Sequence, residues 1–326
     1  MTSNPIEVFQ PNAIQGAIDH IWEKASAWPE FTLAMRLALT SGESEREISK
    51  WAELPGLCCQ AAGGNPRSTD LIAAAWLLFY TAASIMDHVE DAEEPDSWWA
   101  ELGAGPAVNV ATGLYFSACL ALSQLEEHWS DQKAASEIRN KVLERFLLMC
   151  SGQHLDLTRA KPTLEQYWEI AQAKSGAFFT LACWAGARLA TQQAEALDGF
   201  SQFGEHIGLL VQILDDLEEF RDLDKRLRPV DLCSLSHALP IIYIREVCSS
   251  TVKDQLDDLL VQSGSVPGAI EKIYQLVESS GGVLYLLAEL EKHRTLGLKG
   301  LERACAIQPA KQRLVYLLES FASKYS

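Results

Sequence analysis

The chain has 326 residues, a formal net charge of −17 and 48% hydrophobic side chains. That charge argues against nucleic acid or an anionic membrane surface as a partner, because both reward basic patches. It leaves room for an anionic small substrate held through divalent metal, since acidic side chains can supply the ligands.

Apolar residues recur at helical spacing over about 13–27, 30–40, 44–60, 69–91, 107–128, 132–158, 164–190, 195–222, 236–248, 266–279, 281–303 and 309–323. Alternating strand patterns are hard to find. The first residues, MTSNPIEVFQPN, carry no basic and apolar leader pattern, so no signal peptide is expected. Gly63-Gly64-Asn65-Pro66 reads as a loop, with Ser68 or Thr69 capping the next helix and Asp70 in its first turn. Gly103, Gly105 and Pro106 mark another connection. Lys161-Pro162-Thr163 marks a third, where Thr163 and Gln166 form a capping box. Ser279-Ser280-Gly281-Gly282 marks a fourth.

The longest apolar run, Leu71–Met86, falls short of the roughly 20 residues that span a bilayer. It is expected to be a core helix, with no membrane span. The stretches 108–123, 176–190 and 207–214 are also apolar nearly all round, as helices surrounded by other helices are. The expected architecture is all-α, with a central layer. No Pro/Gly/Ser-rich or charge-rich linker divides the chain, so residues 1–326 are expected to form a single domain. The eight cysteines are scattered without a CxxC pair. They read as buried thiols of a cytoplasmic protein, not as a zinc site.

Two acidic clusters follow apolar helices. In Asp87-His88-Val89-Glu90-Asp91, the two aspartates are i and i+4 and share a helix face. In Asp215-Asp216-Leu217-Glu218-Glu219, Asp215 and Glu219 repeat that spacing. Like charges at this spacing cost about 0.2–0.5 kcal/mol on an isolated helix, and more when partly buried. A divalent cation removes the cost. Magnesium uses one or two carboxylates plus substrate phosphates, so two such helices facing one cavity would clamp a diphosphate.

These motifs resemble the trans-isoprenyl diphosphate synthases and the wider class I terpenoid synthase fold. The family's two Asp-rich motifs look like DHVED at 87–91 and DDLEE at 215–219, the second with its preceding Gln in VQILDD. Gly152-Gln153-His154-Leu155-Asp156-Leu157 is similar to the family's GQ-x-x-DL segment. Lys174-Ser175 matches a Lys-Thr pair, and Leu239-Pro240-Ile241-Ile242-Tyr243 matches a late TLP…Y segment. The resemblance covers about residues 55–245, leaving 1–50 as divergent N-terminal helices.

The resemblance implies an isoprenoid synthase fold, a bundle of about ten to thirteen helices around a central cavity, and a homodimer. It implies that Asp87, Asp91, Asp215 and Glu219 hold about three magnesium ions with diphosphate bound. Lys174 would contact that diphosphate, with Gln153 and Gln212 in support and Arg228 compensating for a lost lysine. The small residues one turn before the first motif, Ala82 and Ala83, imply a deep pocket for a C15–C20 allylic isoprenyl diphosphate.

The sequence also departs from the family. The Gly-Lys-Arg segment of chain-elongating members is absent, leaving only Arg46 and Lys50 upstream. Ala92-Glu93-Glu94-Pro95-Asp96-Ser97-Trp98-Trp99 stands where an Arg pair would bind a second diphosphate. Ser236 replaces a later lysine. The expectation is therefore ionisation of the allylic diphosphate without isopentenyl diphosphate condensation, as in a terpene cyclase. The rivals are an ordinary chain-elongating synthase, prenyl transfer to another acceptor, and a non-catalytic regulatory subunit. His88, His154 and His237 read as structural histidines, with His154 the best functional candidate among them. Trp98 and Trp99 read as a loop plug, and Phe79, Tyr80, Phe178 and Phe179 as core.

Overall fold

A computed structural model describes residues 11–25, 28–40, 51–90, 103–159, 161–221, 237–263, 266 and 268–322. These residues form helices and turns, with no strand among them. They divide between two compact units. The first comprises Met1–Glu144, Leu181–Ser201 and Gly300–Tyr316, and the second Arg145–Thr180, Gln202–Lys299 and Leu317–Ser326.

The first unit is built on two long apolar helices, α4 (Asp70–Glu90) and α5 (Ala104–His128), preceded by α1 (Pro11–Lys24), α2 (Pro29–Thr40) and α3 (Leu54–Ala61). Helices α4 and α5 lie along each other, with α1 and α2 against both. Alanines make this approach close: Ala73, Ala74, Ala75 and Ala82 on α4 and Ala107, Ala111, Ala118 and Ala121 on α5 are buried. Leu78, Phe79, Leu114 and Leu122 fill the remaining space. Each such large side chain contributes about 1.5–3 kcal/mol when fully buried.

Helix α5, and α4 with its leading 3-10 turn (Pro66–Glu90), are each long and apolar enough to cross a bilayer, although the run Leu71–Met86 alone had read as too short. Their most apolar windows are 61% buried in the case of α4 and 44% in the case of α5. The start of α4 also differs from the expectation. Asn65 caps the 3-10 turn Pro66–Thr69 by accepting from the Arg67 N–H, and the α-helix then begins at Asp70. The expected helix over 44–60 is described only from Trp51 onward, and there α3 runs Leu54–Ala61. Pro55 explains that start, because it lacks an N–H and fits only the first turn of a helix.

The second unit takes in the C-terminal part of α6 (Gln132–Thr158), α7 (Leu164–Ala171), the start of α8 (Ala177–Arg188) and most of α9 (Ala194–Arg221). It continues with α10 (Leu239–Val247), α11 (Ser250–Gln262), α12 (Ala269–Ser279) and most of α13 (Gly282–Arg303), and it ends in the last part of α14 (Ala310–Ala322). Thr163 and Gln166 form the expected capping box at the start of α7. A remote carboxylate adds to it, because Glu246 on α10 accepts from the Leu164 N–H at 2.7 Å.

Helix α11 is absent from the pattern reading. Its buried stripe is Leu256, Leu259 and Leu260, with Val252 packed alongside, set among Asp254, Asp257 and Asp258. That short stripe packs with Ile241, Ile244, Ile273, Leu276 and Val277 in one core cluster.

The stretch 164–190, expected as one helix, is widened by a π-helical turn at Gln172–Gly176. Helix α9 presses against this turn through two glycines one helical turn apart. A Cβ on Gly208 would sit 2.2 Å from the Ser175 carbonyl oxygen, and one on Gly204 would sit 2.5 Å from that of Phe179. Gly208→Ala is therefore expected to force α9 off the π turn. The expected cost is about 1–3 kcal/mol of stability, with a larger proportional loss of activity. Thermal unfolding and turnover measured together would check this, and an unchanged variant would show that the turn yields freely.

Candidate active site

The widened turn carries Lys174 and Ser175. Such π-turns recur at functional sites. Gly152 on α6 leaves room for the Lys174 stem, since a Cβ there would lie 3.1 Å from Lys174 Cγ. One turn along α6 stands Asp156. Lys174 Nζ donates to Asp156 Oδ2 at 2.7 Å, and His237 Nδ1 lies 3.2 Å from Oδ1. Burial alone would raise this carboxyl. The hydrogen bond from His237 and the charge and hydrogen bond of Lys174 outweigh it, and its pKa is lowered to about 2. Asp156 is therefore an ionised acceptor at any ordinary pH.

Ser175 starts a second chain of hydrogen bonds. Its hydroxyl donates to Gln212 Oε1 at 2.9 Å, and Gln212 Nε2 donates to Asp216 Oδ1 at 3.2 Å. Asp216 Oδ2 accepts from the Leu239 N–H at 2.8 Å, at the start of α10. Asp216 is 6% exposed, and the Tyr167 hydroxyl faces it in a contact too loose for a well-formed hydrogen bond. Burial pushes its carboxyl up to about 6, against the pull of these donors.

The two aspartates of this motif therefore part company. Asp215 is exposed and Asp216 is buried as an anchor joining α9 to α10. Asp216→Ala would leave the Leu239 N–H and the Gln212 amide without their acceptor. The expected loss is about 2–4 kcal/mol at pH 5 in metal-free buffer. The loss should be smaller at pH 8. A raised carboxyl pKa means that the stabilising neutral form is complete below about pH 4 and is lost as pH rises through about 6. Denaturant unfolding at both pH values checks the order, and an equal loss at the two would contradict it.

The other expected site residues fall as follows. Asp87 lies half-buried in the last turn of α4, in the first unit. Gln153 is half-buried on α6, three residues before Asp156. Asp91, Arg228, Arg46, Lys50, Ser236, Trp98 and Trp99 lie outside the described residues, as does the side chain of Glu219. No group of three or more metal-ligating side chains is close together among the described residues. The donors that are described, the carboxylates of Asp87 and exposed Asp215, are hard oxygen ligands that suit magnesium.

His88 is structural, with Nδ1 2.7 Å from the Ser84 carbonyl one turn back. His154, the favoured histidine, is exposed. His237 holds the place beside Asp156 instead. Sequence reading passed over Asp156 and His237 as a pair because 81 residues separate them. Phe79, Phe178 and Phe179 are core as expected, while Tyr80 is half-buried and stacks on Trp76. Ala82 is fully buried and Ala83 half-buried. The cysteines correct the uniform reading. Cys58, Cys59 and Cys183 are buried free thiols, Cys150 and Cys305 are exposed, and Cys233 lies outside the described residues.

Comparison with known proteins identifies the fold and the family. The structure resembles the geranylgeranyl pyrophosphate synthetase of the archaeon Geoglobus acetivorans, with a TM-score of 0.74, 18% identity, and coverage of 95% of this chain and 98% of that one. The fold is thus the all-helical isoprenoid synthase fold. The sequence signature described as Polyprenyl synthetase matches residues 54–277, and the chain belongs to that family of enzymes. It is 24% identical over 258 residues to a protein named tryptophan prenyltransferase ComQ from Bacillus subtilis subsp. natto, covering 77% of this chain and 76% of that protein. It is 27% identical over 279 residues to a short chain isoprenyl diphosphate synthase of Methanothermobacter thermautotrophicus, covering 82% and 79%.

Proposed function

We propose that the chain is a magnesium-dependent prenyltransferase that ionises an allylic isoprenyl diphosphate and passes the prenyl group to an acceptor. The observation that carries this reading is the joining of Lys174-Ser175 to the second acidic motif. Ser175 bonds Gln212, which lies one turn before Asp215 on α9. A cation for the diphosphate and a carboxylate for its metal thus belong to one hydrogen-bonded neighbourhood.

In this reading Asp87 and Asp91 of one motif, with Asp215 and Glu219 of the other, hold the magnesium ions, about three of them around a bound diphosphate. Magnesium supplies positive charge that stabilises the departing diphosphate. Lys174 donates to the same leaving group, backed by Gln153, Gln212 and Arg228. Lys174 is kept from wandering by Asp156, so its contribution is preorganised.

Prenyl transfer takes precedence over the cyclase expected from the sequence. One relative is named a tryptophan prenyltransferase and another a short chain isoprenyl diphosphate synthase. Cyclisation without an acceptor stays as a second reading, on the acidic and aromatic segment Ala92–Trp99 standing where a second diphosphate would need arginines. The same segment favours an acceptor without its own diphosphate. The remaining elements are a single functional domain over 1–326, a cytoplasmic location and a C15–C20 substrate. A homodimer belongs with them. Phe116 and Leu120 on α5, and Leu143 and Leu147 on α6, are exposed apolar pairs at i, i+4 that a second copy would cover. A monomer mass by light scattering would contradict that part.

The test is incubation with magnesium and C10, C15 or C20 allylic diphosphates, alone, with isopentenyl diphosphate, or with an indole acceptor. A prenylated acceptor is the expected product. Hydrocarbons or prenyl alcohol formed equally well without any acceptor would favour the cyclase reading. No diphosphate release under any condition would sink both.

A further inference from the structure

We propose that His237, gripped through Nδ1 by Asp156, is the base that takes the proton from the acceptor after the prenyl group is transferred. The inference rests on the prenyl-transfer reading above and assigns a residue that the motifs do not.

The tautomer follows from the partners. Asp156 is ionised, so it can only accept. The nitrogen facing it, Nδ1, must carry hydrogen. In the neutral ring the lone pair is then on Nε2. That atom is buried and has no hydrogen-bond partner among the described residues.

Other described histidines are placed differently. His88 and His128 turn Nδ1 to the backbone carbonyl of the residue four before them. His206 and His293 face each other at 3.0 Å through their Nδ1 atoms, and His293 Nε2 lies 3.5 Å from Glu289. His237 combines a carboxylate on one nitrogen with an open second nitrogen. A buried ring nitrogen left unpaired is unfavourable, because it has given up water without gaining a partner. An arriving substrate group would relieve that cost.

The position suits the role. Lys174 and His237 hold the two oxygens of one carboxylate. A substrate whose diphosphate rests on Lys174 therefore reacts near the imidazole. Among the described residues, Asp156 on α6 faces the ring, Lys174 in the π turn holds the other oxygen of that carboxylate, and Asp216 on α9 is tied to Leu239 two residues further on. When the ring gains a proton, Asp156 stabilises the imidazolium, as carboxylates do in catalytic triads.

The step balances. The allylic C–O bond breaks and its electron pair leaves with diphosphate. An electron pair from the acceptor's double bond forms the new C–C bond, leaving a cation on the acceptor. A proton on a carbon next to that cation passes to Nε2, and the freed C–H pair fills the empty orbital to form the new double bond. The imidazolium later returns the proton to solvent.

The test compares wild type with His237→Asn, using farnesyl and geranylgeranyl diphosphate, magnesium, and either isopentenyl diphosphate or N-acetyltryptophanamide as acceptor. The variant is expected to release diphosphate within about threefold of wild type, with KM for the allylic substrate similarly unchanged. Coupled product should fall about 100-fold or more, the usual weight of a general base. Water should capture the cation instead, so prenyl alcohol should rise. In His237→Gly, added imidazole should restore part of the coupled product.

Undiminished coupling would overturn the proposal. So would a raised KM with unchanged kcat, which would make His237 a diphosphate contact. Nitrogen-detected NMR of the resting protein at pH 7–8 reads the tautomer without any acceptor. Hydrogen on Nε2 there would overturn the proposal even if coupling had fallen. A wild type that releases no diphosphate would instead remove the prenyl-transfer reading itself, and the base with it.

Discussion

Asp215→Ala is expected to lose at least about a thousandfold in turnover while keeping its fold, the scale of effect seen when a group that stabilises developing charge is removed. Asp215 is exposed on α9, so truncating it creates no cavity. Stability should stay within about 0.5 kcal/mol, as for ordinary surface changes. One residue on, buried Asp216 should show the reverse emphasis, because it anchors the Leu239 N–H and the Gln212 amide. The contrast between adjacent aspartates is sharper than either result alone. Asp87→Ala should resemble Asp215→Ala. Turnover within tenfold of wild type in Asp215→Ala, measured as diphosphate release, would remove that residue from the metal site.

Asp156→Asn is expected to affect stability and activity together. The wild-type carboxyl is lowered from 3.8 to about 2. Such a shift corresponds to about 2 kcal/mol of stability at neutral pH. For a lowered carboxyl, that contribution is complete above the unfolded value near pH 4. It disappears as pH falls through about 2. Wild type should thus lose about 2 kcal/mol over this window, and Asp156→Asn should lose correspondingly less. In the same variant Lys174 and His237 both lose the anion that fixes them, so activity at pH 7 should fall about 10- to 100-fold. Denaturant titrations at pH 7 and pH 2.5, with turnover at pH 7, separate the two effects. A pH profile parallel to wild type would mean that the carboxylate is not paired in solution.

Much of this was legible in the sequence, for physical reasons. Long apolar runs such as Leu71–Met86 and Ile207–Leu214 declare buried helices because only surrounding helices satisfy them. Thr163 and Gln166 declare a helix start because their side chains complete each other's hydrogen bonds. The acidic motifs and Lys174-Ser175 are local, so their order alone pointed to the family.

What escaped was tertiary. The π turn has no pattern of its own and arises where α9 closes on the Ser175 carbonyl through Gly208. The opposite fates of Asp215 and Asp216 depend on Leu239 arriving at α9. The Asp156–His237 pair spans 81 residues. Helix α11 showed too little apolar surface to stand out until its three leucines met α10 and α12.

The central claim is that the two acidic motifs hold magnesium around one diphosphate, and a crystal structure with magnesium and inorganic diphosphate tests it most directly. The expected result is metal ions ligated by Asp87 and Asp215, with Lys174 Nζ on a diphosphate oxygen. Diphosphate bound elsewhere, or metal that touches neither aspartate, would contradict it.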